Sequence, residues 1–308
     1  MMPVCEFGWK LSGIREAFFR CKNRRGKETL VSGTNAAPIA VVGPLAGRQG
    51  PNRKDTAMTN SEPARVAAAT ILESYEGLIG RANVADSGEA RIGACLILTI
   101  FEQFRAAMCL VDAGHASHAA GPIRSMLEGV ADLMNLSANP QYLDQLRWEN
   151  ARSNVVMFND ILRLDGAPED MLKTVGEWKA RDEPVRDELA KAGRERIQLE
   201  QKLKDVGLGG MYLQYRILCV FVHPNLTSLI SRHAGRERMT ELEYLRFIDR
   251  PVYGLLLMIA ADLLVRAGSE LFRFTDLDEG EVNAAAEEAR RIWEAATNDN
   301  DEMGKGQQ

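Results

Sequence analysis

The chain has 308 residues, of which 45% are hydrophobic and 26% are charged, a balance typical of a globular protein with a sizeable core. Its formal charge of −5 is unevenly distributed: residues 1–57 hold ten Lys/Arg and four Asp/Glu, a net +6, so the rest of the chain carries −11. An acidic body does not favour general affinity for nucleic acid, which depends on a basic surface. The five cysteines form no CxxC pair, which argues against a disulfide framework and favours the cytoplasm.

The basic lead, residues 1–60, allows three interpretations. It lacks the apolar core and small-residue cleavage pattern of a signal peptide. It is a basic arm that binds nucleic acid, or it forms a weak amphipathic helix at residues 9–20. In the third interpretation, which we favour, translation starts at Met58 or the lead is disordered.

From Ser61 onward, apolar residues recur at three- and four-residue steps, which predicts helices throughout. The second helix is apolar on most sides and is predicted to be central. No apolar run is both long enough and free enough of charge to predict a membrane span. The fold class is therefore all-α, a multi-helix bundle in a single domain at 61–297, with a disordered tail at 298–308. The predicted helices, besides those of 168–206, cover about 63–82, 90–113, 121–136, 140–164, 211–223, 251–274 and 279–296.

Residues 168–206 are charge-dense and carry a narrow apolar seam with steps of four and three. This pattern is typical of a coiled-coil-like helical hairpin or a protruding arm. Pro184 is predicted to divide the arm, because an interior proline removes a helical hydrogen bond and clashes with the preceding turn.

The segment "MYLQYRILCVFVHPNL", residues 211–226, predicts a buried helix that nevertheless carries Arg216 and His223. Seven residues make about two helical turns, so these two side chains share one face about 10 Å apart. Tyr212 and Cys219 project into the same narrow sector.

A buried arginine needs an acidic partner, because an unpaired buried charge costs several kcal/mol. The best candidate for Arg216 is Glu128, which lies one turn after Arg124 in "RSMLE". The predicted polar network comprises Arg124, Glu128, Tyr212, Tyr215 and Cys219, together with Arg216 and His223.

Other combinations of polar residues are weaker signals. Cys219 and His223, four residues apart, could form a thiolate–imidazole dyad, but a cysteine in mid-helix is more often a small core residue. His115 and His118 have a spacing that can share a metal, and Asp112 lies one turn before them. The sequence offers no further ligand at a suitable spacing. We therefore predict no metal site and no cofactor.

The motifs "IRSMLEGVADLMNL" and "YRILCVFVHPNL" together resemble the bacterial, all-helical family known as domain of unknown function 5677. In that family an Arg-Ser-x-x-Glu-like helix precedes a Tyr-x-x-Leu-Ser-x-x-Val-His-like helix, and Cys219 here replaces the more usual serine. The resemblance spans roughly residues 65–275. It implies a helical fold and no settled activity.

A looser resemblance is to HEPN domains, helical dimers whose nuclease members cut RNA with an arginine and a histidine four to six residues apart. It implies catalytic roles for Arg216 and His223 at a two-fold cleft, although Ile217 stands where a polar residue usually follows the arginine.

Two functions therefore remain open. One is a non-catalytic module that binds a small molecule or a protein partner and uses the buried network to fix helix register. The other is a metal-independent ribonuclease of a defence or toxin system, which would bind RNA and act as a homodimer.

Overall fold

The computed structural model describes residues 62–234, 242 and 250–305, with the backbone alone at 227, 231, 250, 251 and 298–305. The predicted disordered lead, residues 1–60, lies outside the described residues. So do the side chains of the predicted disordered tail, residues 298–308. Two isolated β-bridges are the only extended pairing among the described residues, so the prediction of an all-α protein is confirmed. The helices are α1 (Glu62–Ile79), α2 (Gly88–Asp112), α3 (Ala120–Ala138), α4 (Tyr142–Leu162), α5 (Glu169–Lys191), α6 (Leu199–Asp205), α7 (Met211–Val222), α8 (Leu226–His233), α9 (Arg250–Ser269), α10 (Leu271–Phe274) and α11 (Glu279–Lys305), with a short 3-10 helix at Ala116–His118.

Local signals in the sequence place several helix ends. The Ser87 hydroxyl accepts a hydrogen bond from the backbone N–H of Ala90 and so caps α2, while the Asn225 side chain caps α8 in the same way. Pro122 lies in the first turn of α3, where the missing N–H costs nothing. Gly166, after α4, adopts a φ of +75°, which glycine tolerates because it has no Cβ.

Helix α3 occupies the centre of the bundle and packs against α2, α7, α9 and α6. Its side chains Leu127, Val130 and Leu133 are fully buried. Because α3 contacts both α7 and the helices around it, it positions the elements on which the site is built.

Helix α2 is not central, contrary to the prediction. Its buried residues repeat at alternating steps of three and four, from Ala90 to Val111, and form one face that packs mainly on α3. The opposite face is exposed and still carries apolar side chains, among them Ile92 and Leu98. The sequence prediction was wrong because apolar composition does not reveal which face meets a neighbour.

The prediction that no segment could span a membrane also needs correction. By length and composition α2 is apolar enough to cross one, and 39% of its most apolar window is buried inside the fold. Core helices of soluble proteins have the same composition, so one such helix is weak evidence for a membrane.

The helical hairpin is present, but its two arms are α4 and α5 rather than two halves of residues 168–206. Helix α5 packs mainly on α4, with Trp178 beside Phe158 and Asp182 accepting a hydrogen bond from Asn154. Pro184 does not divide α5, which continues to Lys191. Packing along α4 holds the helix together across the one hydrogen bond that the proline removes.

A buried ion cluster fastens α6 to α3 and α4. The Lys202 ammonium donates to Asp132 at 2.9 Å and to Glu149 at 2.7 Å, and the Tyr142 hydroxyl donates to Asp132 at 2.8 Å. Burial lowers the pKa of Lys202, but Asp132 and Glu149 outweigh burial and raise it overall. The lysine therefore stays charged inside the fold.

An open depression beside helix α7

Helix α7 is far less buried than its sequence predicts. Met211 and Leu218 are its buried residues, whereas the side chains of Leu213 and Val220 are 66% and 40% exposed. The helix packs mainly against α3, with smaller contacts to α6, α8 and the 3-10 helix, and much of its remaining surface is exposed. Hydrophobic composition on every side predicted burial, and that prediction was wrong.

The predicted polar face of α7 does exist as a single surface. It forms one wall of an open depression of about 690 Å³, a volume within the range of small-molecule sites. The lining residues are Tyr212, Arg216, Ile217, Cys219, Val220, His223 and Asn225. The helical projection therefore placed Tyr212, Arg216, Cys219 and His223 on a common face correctly.

Arg216 does not bind Glu128, contrary to the prediction. Its side chain is exposed, and within the described part of the chain no hydrogen bond or ion pair engages its guanidinium. Glu128 instead accepts a hydrogen bond from Nε of Arg124 at 3.1 Å, one turn away on the same helix. The prediction failed because it assumed a buried α7; with Arg216 turned outward, water solvates the charge and no carboxylate is required.

Arg124 joins α3 to α7. Its Nη2 donates to the Tyr215 hydroxyl at 3.0 Å, and its guanidinium also lies 5.1 Å from the centre of the Tyr215 ring, within cation–π range. Burial lowers the pKa of Arg124, but Glu128, Cys219 and Tyr215 together outweigh burial and raise it overall. Burial also raises the pKa of the Tyr215 hydroxyl, so this contact joins a cation to a neutral phenol.

His223 ends α7 as its C-terminal cap, as its position before Pro224 predicts. Its Nε2 lies 3.4 Å from Nη1 of Arg124. An arginine N–H can only donate, so in this contact Nε2 is the acceptor when the imidazole is neutral, and the ring proton is then on Nδ1. The imidazole is thus held at the depression with its acceptor nitrogen facing Arg124.

The Cys219–His223 dyad, the weaker of the two interpretations of Cys219, is not formed. Cys219 is a free, half-buried thiol that lies near the Tyr215 hydroxyl and, after burial, adds to the rise of its pKa. No hydrogen bond joins the thiol to His223 in the portion that the structure covers. The ring of Tyr215 also stacks on that of Tyr212, with centroids 5.9 Å apart.

His115 and His118 lie together near the end of α2, with ring centroids 6.3 Å apart. Burial lowers the pKa of His118, and the positive charge of Arg232 lowers it further. Arg232 also donates to the backbone carbonyl of Ser117 at 3.2 Å. Across the residues described, no three His, Cys, Asp or Glu side chains are grouped so as to hold a metal ion.

The sequence reasoning missed two polar features. One is the buried cluster around Lys202, for which Asp132 gave a signal: an acid inside the apolar run "GVADLMNL" requires a buried partner. The other is Gln214 on α7, which lies opposite the depression and whose Oε1 is buried without a hydrogen-bond partner. A lone glutamine in an apolar helix gives no comparable signal, because its amide is uncharged.

The comparisons with known proteins identify a family and no activity. The model of the Family of unknown function (DUF5677) matches residues 90–240. These residues include the whole of α7 and the Arg124–Glu128 pair, so this part of the chain belongs to that family and the resemblance is confirmed. Comparison with the curated proteins and with the solved structures gave no match.

Proposed function

We propose that the protein is a non-catalytic helical binding module whose depression beside α7 receives the anionic group of a ligand or partner. The observation that carries this proposal is Arg216, a fixed positive charge exposed on the wall of the depression with no partner in the described part of the chain. Such a guanidinium presents a planar fork of N–H donors that fits a carboxylate or phosphate.

The surroundings of Arg216 favour an anion attached to a flat group. His223 lies on the same wall and can present its Nδ1–H, and Tyr212 stacks on Tyr215 to form an aromatic surface. Arg124 adds positive charge that Glu128 only partly offsets, since Glu128 is itself partly exposed. The body of the protein is acidic, so this attraction is local and selects a ligand that fits the depression.

The hydrogen bond to His223 favours binding over catalysis. A general base needs a free lone pair within reach of the proton that it removes. In a neutral imidazole that lone pair belongs to one nitrogen, here Nε2, which already faces Arg124. The histidine is therefore suited to orient a ligand rather than to accept a proton.

The proposal is tested by calorimetric titration of the full chain with adenosine 5′-monophosphate and with adenosine. We expect the nucleotide to bind at least tenfold more tightly than the nucleoside, because a charge-assisted hydrogen bond contributes about 1.5–3 kcal/mol. Arg216→Gln should remove this difference. The control is Arg163→Gln, which removes an exposed arginine at the C-terminal cap of α4 and should leave both affinities unchanged.

Failure of both compounds to bind, or an unchanged preference for the nucleotide in Arg216→Gln, would contradict the proposal. Equal losses in Arg216→Gln and Arg163→Gln would show that only the net charge matters.

A second candidate is the HEPN-like ribonuclease, favoured by one observation: Arg216 and His223 are both exposed on the same wall of an open depression. In that function Arg216 would stabilise charge on the phosphate and His223 would move the proton of the attacking 2′-hydroxyl, with a homodimer supplying both residues twice. Incubation of single-stranded RNA with the full chain in EDTA tests it. Cleavage that His223→Ala abolishes would establish this function over the binding module; equal turnover by the two proteins would exclude it.

A further inference from the structure

The opposite face of α7 borders a second cavity, which none of the preceding functions uses. It is a partly open cleft of about 530 Å³ between α1, α3, α7, α9 and α11. Its wall is mainly apolar, with Ile71, Met134, Met258 and Trp293, and its other lining residues include the charged side chains Asp262, Arg266, Glu270, Arg290 and Glu294. This volume and lining are those of a small-molecule site rather than of a packing defect, which rarely exceeds the size of a water molecule.

One polar atom in this wall lacks a partner. Oε1 of Gln214 is buried and accepts no hydrogen bond, whereas buried amide oxygens in folded proteins are almost always paired. Two acidic residues that line the same cavity are paired, in contrast to this oxygen. Asp262 accepts from Arg266 at 2.9 Å, and Glu270 is held by Ser137 and Arg273.

We propose that this cavity binds a small, largely apolar molecule that carries one N–H or O–H donor. The donor bonds Oε1 of Gln214, and the flat or flexible body of the molecule lies between Met134, Met258 and Trp293. Methionine side chains adapt to irregular shapes and make favourable contacts with aromatic rings, so the wall suits an aromatic ligand. This inference stands independently of the proposed function, because the two sites lie on opposite faces of α7.

The probes are indole and 1-methylindole, which differ by the single N–H donor. Their binding to the full chain is measured by calorimetry or by ligand-observed nuclear magnetic resonance. We expect both compounds to bind saturably and indole to bind about fivefold more tightly, since one neutral hydrogen bond contributes on this scale. Trp293→Ala should weaken both compounds to a similar extent.

Gln214→Leu keeps the volume of the side chain and removes the acceptor, so it should abolish the preference for indole while 1-methylindole still binds. The matched control is Gln201→Leu, which removes an exposed glutamine of α6 and should leave the preference intact. If Gln214→Leu does not fold, as judged by circular dichroism, Gln214→Met makes the same change with a more flexible side chain.

Three outcomes overturn the inference: no saturable binding of either compound, stronger binding of 1-methylindole, or an unchanged preference in the Gln214 variant. Arg216→Gln should leave indole binding unaltered, so failure here and failure of the proposed function are distinguishable.

Discussion

At the scale of single residues, Lys202 shows how a charge is kept inside this fold. Its side chain is 9% exposed and contacts two carboxylates from two different helices, those of Asp132 and Glu149. Removing one member of such a buried cluster leaves the others unpaired, which costs far more than the net worth of the original contact. The stability of the contact between α6 and its neighbours therefore depends strongly on Lys202.

Lys202→Met tests this dependence. The change retains most of the side-chain volume but leaves Asp132 and Glu149 facing each other without a cation, so we expect the free energy of unfolding to fall by about 3–5 kcal/mol in urea denaturation. The control, Lys204→Met, removes an exposed lysine that pairs with Glu200 one turn away and should cost less than about 1 kcal/mol. Similar losses in the two variants would refute a special role for the buried lysine.

The candidate site also shows what a sequence predicts at this scale. Helical periodicity alone put Tyr212, Arg216, Cys219 and His223 on one face, because the number of residues per turn fixes their relative directions. It could not predict that this face looks outward, because rotation of a helix about its axis depends on which neighbours cover it. For that reason the sequence wrongly paired Glu128 with Arg216 instead of Arg124.

At the scale of elements, the helix ends followed from residues whose chemistry is local, such as the serine and asparagine caps and the proline in the first turn of α3. Helix α5 is the exception, because Pro184 lies in its interior. Packing of α5 along α4 overrides the local penalty. A tertiary contact of this kind is invisible in a single sequence, so the division of the arm at Pro184 was predicted and did not occur.

Pro184→Ala should therefore stabilise the protein. Alanine restores the backbone N–H that can donate to the carbonyl of Ala180, and Pro184 is exposed, so little packing is lost. We expect the free energy of unfolding to rise by about 1–3 kcal/mol, measured by thermal and urea denaturation. Glu188→Ala, an exposed position one turn further on, serves as control and should stay within about 0.5 kcal/mol of the wild type. A destabilised Pro184→Ala would mean that the proline ring itself supports the helix.

At the scale of the whole molecule, the helices differ in how many neighbours hold them. Helix α3 is covered on several sides, whereas α5 relies mainly on α4. Periodicity predicted the all-helical class well, since buried faces recur every three to four residues. The sequence could not predict which helix is central, because α2 and α3 are similarly apolar. Only α3 is covered by other helices on several sides.

Amide hydrogen exchange should reveal that α3 is packed against more neighbouring helices than α5. We expect the amides of α3 to exchange only through global unfolding, and those of α5 to exchange through a local opening of lower free energy, because few contacts outside α4 oppose it. Exchange measured by mass spectrometry on the full chain gives both values. Equal opening free energies for α3 and α5 would show that the hairpin and the bundle unfold as one unit.

Helix α7 is twelve residues long and carries Arg216 on one side and Gln214 on the other. If a molecule bound on one side were to shift this helix along α3, the fit of a molecule on the other side would change as well. Such effects are thermodynamically reciprocal: whatever factor one ligand imposes on the affinity of the second, the second imposes on the first. Because α7 borders both proposed sites, it is the element through which such coupling would act.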